Sequence, residues 1–120
     1  MGIVPGAPLD RPSRGTPLRS FAGTVSGAPD AVFAEVLRRV APGSPEGGHL
    51  SSDPVRRLVV VQGGWWYRGE WRVIPDGTGS RIEYEIVNVA QPAHWAGPLT
   101  GRRELRAAPA AFSALLRELG

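Results

Sequence analysis

Apolar and polar positions along the chain change period several times, and each change predicts an element. Val32, Phe33, Val36, Leu37 and Val40 recur at i, i+3 and i+4 spacing, with Glu35, Arg38 and Arg39 on the opposite side. That is the pattern of an amphipathic helix. Gly27-Ala28-Pro29-Asp30 supplies its start, with proline near the first helical position and an acid in the first turn. Pro42-Gly43 supplies its stop. Ahead of it, residues 21–26 alternate weakly and are β-compatible. Residues 41–54, rich in Gly, Pro and Ser, read as a loop with room for a short irregular element. Residues 55–62 read as a strand, and the unbroken run Leu58-Val59-Val60-Val61 suggests cover on both of its faces.

Gly63-Gly64 then predicts a two-glycine hairpin into the stretch 65–74. Simple alternation puts Trp65, Tyr67, Gly69, Trp71 and Val73 on one face, and Trp66, Arg68, Glu70 and Arg72 on the other. Residues 75–80 are turn chemistry. The partner strand, 81–89, directs Ile82, Tyr84 and Ile86 inward and Arg81, Glu83 and Glu85 outward. Pairing Val73 with Ile82 and Trp71 with Tyr84 sets Arg72 opposite Glu83, but it also sets Glu70 opposite Glu85, a like-charge conflict. From about residue 101 to 119 the chain is helical in character, with Leu105, Ala108, Phe112, Leu115, Leu116 and Leu119 along one stripe. Pro109 predicts a break near residues 107–109, because its ring clashes with the carbonyl four residues back.

Composition trims this picture at the start. Residues 1–19 hold four prolines and three arginines with little apolar periodicity, and read as a disordered leader ahead of a single α+β domain over 20–120. All fourteen basic residues are arginine, the net charge is +3, and the arginine pairs are scattered among acids. That argues against nucleic acid as a partner, which calls for a clustered basic face. There is no cysteine, so no disulfide framework. No apolar run reaches the ~18–20 residues of a membrane span, and the first residues lack a secretory pattern. A cytoplasmic location is the resulting expectation.

The order of elements resembles the START-like, or SRPBCC, superfamily, which includes polyketide cyclase/dehydrase-like proteins. The residues that carry the likeness are Val25-Ser26-Gly27-Ala28-Pro29-Asp30-Ala31-Val32-Phe33, then Gly77-Thr78-Gly79-Ser80-Arg81-Ile82-Glu83-Tyr84-Glu85, then the closing helix 112–119. The resemblance covers roughly residues 20–119. It implies a helix-grip fold, in which a curved antiparallel sheet holds a C-terminal helix around an apolar cavity for lipids, polyketides or similar molecules. The chain departs from that pattern in lacking about two strands in the 41–54 region and in carrying Pro109 within the final helix.

Under that resemblance, Phe33, Trp65, Tyr67, Trp71, Tyr84, Ile86, Trp95 and Phe112 become the candidate ligand-binding residues. Aromatic residues at period two on a half-buried strand equally suit an ordinary core. His49 and His94 sit in Gly/Pro-rich loops without ligand spacing, so neither a metal nor another cofactor is expected. Ser51, Ser52 and Asp53 beside His49 lack any nucleophile-elbow pattern. Glu70, Glu83 and Glu85 alternate with arginines and read as a solvated sheet face. The leading expectation is therefore a module that binds a hydrophobic small molecule rather than an enzyme. A cyclase- or dehydratase-type enzyme using Tyr67, Tyr84 or His94 is the second reading. A protein-interaction or homodimerisation domain presenting Trp66 is the third.

Overall fold

The structure, a computed structural model, describes residues 7–41, 49–63, 65–90 and 94–120. The described residues run β1 (Thr16–Val25), α1 (Pro29–Val40), β2 (His49–Asp53), β3 (Leu58–Gly63), β4 (Tyr67–Asp76), β5 (Gly79–Asn88), a 3-10 turn (His94–Ala96), α2 (Gly97–Thr100) and α3 (Arg102–Leu119). The five strands form one antiparallel sheet in the order β1-β5-β4-β3-β2. The fold is α+β, with α1 and α3 packed against the sheet.

α1 starts at Pro29, where the absent N–H costs nothing, and buries Val32, Phe33 and Val36. The stop expected at Pro42-Gly43 lies outside the described residues. His49–Asp53, read from sequence as loop, is an edge strand paired with Leu58–Gln62. The Asp53 side chain turns this hairpin by accepting hydrogen bonds from the Val55 and Arg56 amides at 3.0 and 3.4 Å. The β4–β5 register matches the expectation, with Trp71 opposite Tyr84, Val73 opposite Ile82 and Arg72 opposite Glu83. Its turn is only Gly77-Thr78, and Gly77 adopts φ 58°, which favours glycine.

Three further expectations fail. Gly63 pairs with Tyr67, so β4 begins at Tyr67 and Trp65 and Trp66 belong to the turn. Alternation does not extend back through a turn. Trp66 is therefore buried in the core and Trp65 is exposed. α3 runs continuously through Pro109; the helical path instead changes between α2 and α3, at Gly101. A side chain there would run into the Trp66 indole.

The third correction concerns the leader. β1 starts at Thr16, and residues 7–11 pack on the face of the sheet that carries Leu58, Val60, Arg68 and Glu70. Ala7 and Leu9 pack on Leu58 and Val60, so β3 is covered on both faces. Arg68 and Glu70, expected to face water, are 0% and 3% exposed. Arg68 donates to Glu70 Oε2 at 2.6 Å, to Gln62 Oε1 at 2.9 Å, and to the carbonyls of Pro8 and Leu9 at 2.6 and 3.0 Å. Glu70 does stand opposite Glu85, and Arg11 resolves the conflict. Its guanidinium reaches Glu70 Oε1 at 2.7 Å and Glu85 Oε1 at 3.1 Å.

Burial alone would raise the Glu70 carboxyl, but the hydrogen bonds and charges of Arg11 and Arg68 outweigh it and hold the group below its ordinary range. A carboxylate of lowered pKa stabilises the fold above the unfolded value of about 4.3, and that share is lost as pH falls through the folded value. Arg11→Gln leaves buried Glu70 short of a partner and facing Glu85, so it should cost about 2 kcal/mol, or ~8–16 °C in melting temperature. The gap between variant and wild type should narrow in acid, where Glu70 is protonated in both. Thermal unfolding at neutral and acid pH checks both effects; an equal melting temperature at neutral pH would contradict the assignment.

Candidate functional site

The helix α3 meets the sheet at Phe112, which stacks on Phe21 and Tyr84, and at Leu116, which lies against Gly23; Leu105 and Ala108 are buried in the same core. Along the helix stand Ala107, Ala108, Ala111 and Ala114, whose side chains end at Cβ. A cleft of about 780 Å3, open to solvent along the exposed Glu104, Ala107, Ala111 and Glu118, lies between these alanines and the sheet, within the ~300–1,000 Å3 range of small-molecule sites. Val61, Tyr67, Trp71, Tyr84 and Ile86 form its floor, and Trp66 stands at the end near α2. Arg39, Glu104 and Glu118 are its charged lining. Arg39, on α1, donates to Glu118 Oε2, on α3, at 2.7 Å.

Aromatic stacking makes the floor stiff. The Trp71 and Tyr84 rings stack at 4.4 Å and 12°, and Tyr84 stacks in turn with Phe21 at 5.7 Å and Phe112 at 6.0 Å. Offset stacks of this kind add roughly 0.5–1.5 kcal/mol each beyond their buried area. Gly69 lies between Tyr67 and Trp71 on this face. Because it has no side chain, Tyr67 can lean along the strand until its hydroxyl meets that of Tyr84 at 2.7 Å. Burial raises both phenol pKa values above the ordinary tyrosine value; for Tyr67 the neighbouring Tyr84 adds to the rise, whereas for Tyr84 the hydrogen bond with Tyr67 works against it. Both groups keep their protons at neutral pH. One proton serves the bond between them, and the other can be donated to a guest.

Of the residues proposed from sequence, the structure gathers Tyr67, Trp71, Tyr84, Ile86 and Phe112 around this cavity. Phe33 is core beneath α1 rather than lining. Trp65 and Trp95 point to solvent, at 41% and 74% exposure. His94 is engaged elsewhere: Nδ1 lies 2.7 Å from the Ala90 carbonyl, which fixes the proton there, and Nε2 lies 2.8 Å from the Thr16 hydroxyl. It ties the segment after β5 to the start of β1. Trp66, Arg39 and the alanines were missed. The alanines had a visible signal, a run of small residues in a helix whose other inward positions are large.

Among the described residues, no group of three or more His, Cys, Asp or Glu side chains converges to hold a metal, and no helix is long and apolar enough to cross a membrane.

No protein-family model matches the chain, and no curated protein matches it. Among solved structures, the crystal structure of TTHA0849 from Thermus thermophilus is similar, with a TM-score of 0.52 and 16% identity over 83% of this chain and 92% of that one. At that identity the likeness concerns the fold alone.

A side chain at position 69 would collide with the Tyr67 hydroxyl and the Trp71 ring. Gly69→Ala should therefore cost about 1–3 kcal/mol by overpacking and part the two hydroxyls. Spectrophotometric titration of the tyrosines should then show at least one phenol ionising at lower pH than in wild type. An unchanged titration curve would count against the hydroxyl pair.

Proposed function

We propose that the protein binds an apolar small molecule, lipid- or polyketide-like, between the sheet and α3, as a short helix-grip domain of the START-like type. The observation that carries this reading is the combination of an aromatic floor with an alanine face on α3. Large side chains on α3 would have filled the same space and given an ordinary core. A guest that hides about 200–300 Å2 of apolar surface there gains ~5–8 kcal/mol before the costs of association. The hydroxyl pair narrows the class further. The best guest carries an acceptor, such as a ketone, ester or ether oxygen, for the proton that Tyr67 and Tyr84 leave over.

The pair favours binding over catalysis. Phenols whose pKa values are pushed upward stay protonated at neutral pH, so they can donate a hydrogen bond that orients a guest but are not in the ionised form needed to abstract a proton from it. An interaction domain presenting Trp66 would need that side chain exposed. It is buried, and its backbone carbonyl accepts from the Val89 amide at 2.8 Å.

Titration with long-chain ketones, esters and alkanes, followed by Trp fluorescence and thermal unfolding, tests the reading. Saturable binding is expected, with ketones and esters preferred over alkanes of equal length, and Tyr84→Phe should reduce that preference by about 1 kcal/mol. Ala111→Trp, which blocks the space from α3, should abolish binding while leaving the fold intact. Absence of saturable binding across the panel, or equal binding by Ala111→Trp, would defeat the proposal.

A further inference from the structure

The end of the molecule beyond Trp66 gathers side chains that the cavity does not explain. The β3–β4 turn and the segment 94–101 are neighbours there. The Val89 amide donates to the Trp66 carbonyl at 2.8 Å, Asn88 Nδ2 donates to the His94 carbonyl at 2.6 Å, and Gly101 lies against the Trp66 indole. From these two segments Trp65, Trp95 and Leu99 stand out at 41%, 74% and 60% exposure. Arg102, Arg103 and Arg106 follow immediately, all exposed, in the first turns of α3. Arg14 joins them, anchored through Nε to the Val89 carbonyl at 2.8 Å.

Two local rules are broken at once. Large apolar side chains are left in water, and cations crowd the start of a helix, where the macrodipole favours acids. None of the four arginines is in an ion pair among the described residues. Glu104 is the one acid among α3's first five residues. Positions where a sequence breaks its own folding rules are where a function is to be sought.

We infer that this end docks on an anionic bilayer surface. Trp suits the headgroup region, with an apolar ring and a polar N–H, and Leu99 adds a hydrocarbon anchor. Arginines beside such anchors are attracted to anionic lipid, each worth roughly a five-fold change in partitioning at moderate salt. Charge complementarity and area together favour a bilayer over a second copy of the chain. The three apolar side chains offer only ~400 Å2, well below the ~800 Å2 per partner of a standard protein interface. The inference stands apart from the cavity reading, although Trp66, Gly63 and Glu104 line the cavity at this same end.

Co-sedimentation with phosphatidylcholine vesicles, with and without phosphatidylglycerol, tests it. The wild type should sediment with the anionic vesicles, release at high salt, and show a blue-shifted Trp emission when bound. Trp95→Ala/Leu99→Ala should lower partitioning by about ten-fold or more, and Arg102→Gln/Arg103→Gln by roughly twenty-five-fold. All four positions are exposed, and unchanged melting temperatures would establish that the variants fold. Equal sedimentation with neutral and anionic vesicles would overturn the inference, as would variants that bind like wild type. A dimer in solution that Trp95→Ala/Leu99→Ala dissolves would overturn it in favour of self-association.

Discussion

The spacing between α3 and the sheet governs everything on the aromatic face. Phe112, stacked on Phe21 and Tyr84, and Leu116, against Gly23, set how close the helix can come. The alanines at 107, 108, 111 and 114 cannot follow them down. Helix-to-sheet distance is thus fixed by large residues, while small ones decide what lies in between. Proteins normally close such gaps, since voids forfeit dispersion contacts. Here the stacked rings of Trp71, Tyr84, Phe21 and Phe112 hold the floor rigid against collapse. A shaped space with one available hydroxyl proton is the result.

The opposite face answers a different need. β4 carries alternating faces of opposite character, aromatic toward α3 and ionic toward the N-terminal segment. A slip of one residue in its pairing would turn Arg68 and Glu70 into the aromatic floor. Burying those charges is expensive, and it is tolerated because Arg11, Gln62 and two backbone carbonyls complete their hydrogen bonds. The same network that conceals the ions therefore locks the register on which the floor depends. Residues 7–15 consequently belong to the folded unit.

Much of this was legible where periodicity was long and unbroken. α1 and the β4–β5 register followed from the repeats of Val32 to Val40 and of Val73 and Trp71 against Ile82 and Tyr84. Even the Glu70–Glu85 conflict was visible; what was hidden was its remedy, because Arg11 lies in a proline-rich stretch whose composition resembles a disordered tail. Trp65 and Trp66 were misassigned because period two carries no information about where a turn ends. Pro109 misled for a different reason: α3 gains enough from Leu105, Ala108 and Phe112 to run through a residue that removes one backbone hydrogen bond. Cavities are harder still, since a sequence states the size of each side chain but not which small ones will face which large ones.

Calorimetric titration of a long-chain ketone at several temperatures tests the central claim most directly, because burial of apolar surface has its own thermodynamic mark. The account predicts one guest per chain and a clearly negative heat-capacity change, both absent when Ala111 is replaced by Trp. Binding with no heat-capacity change, or an identical signal from the Ala111→Trp protein, would place the guest somewhere other than between the aromatic floor and α3.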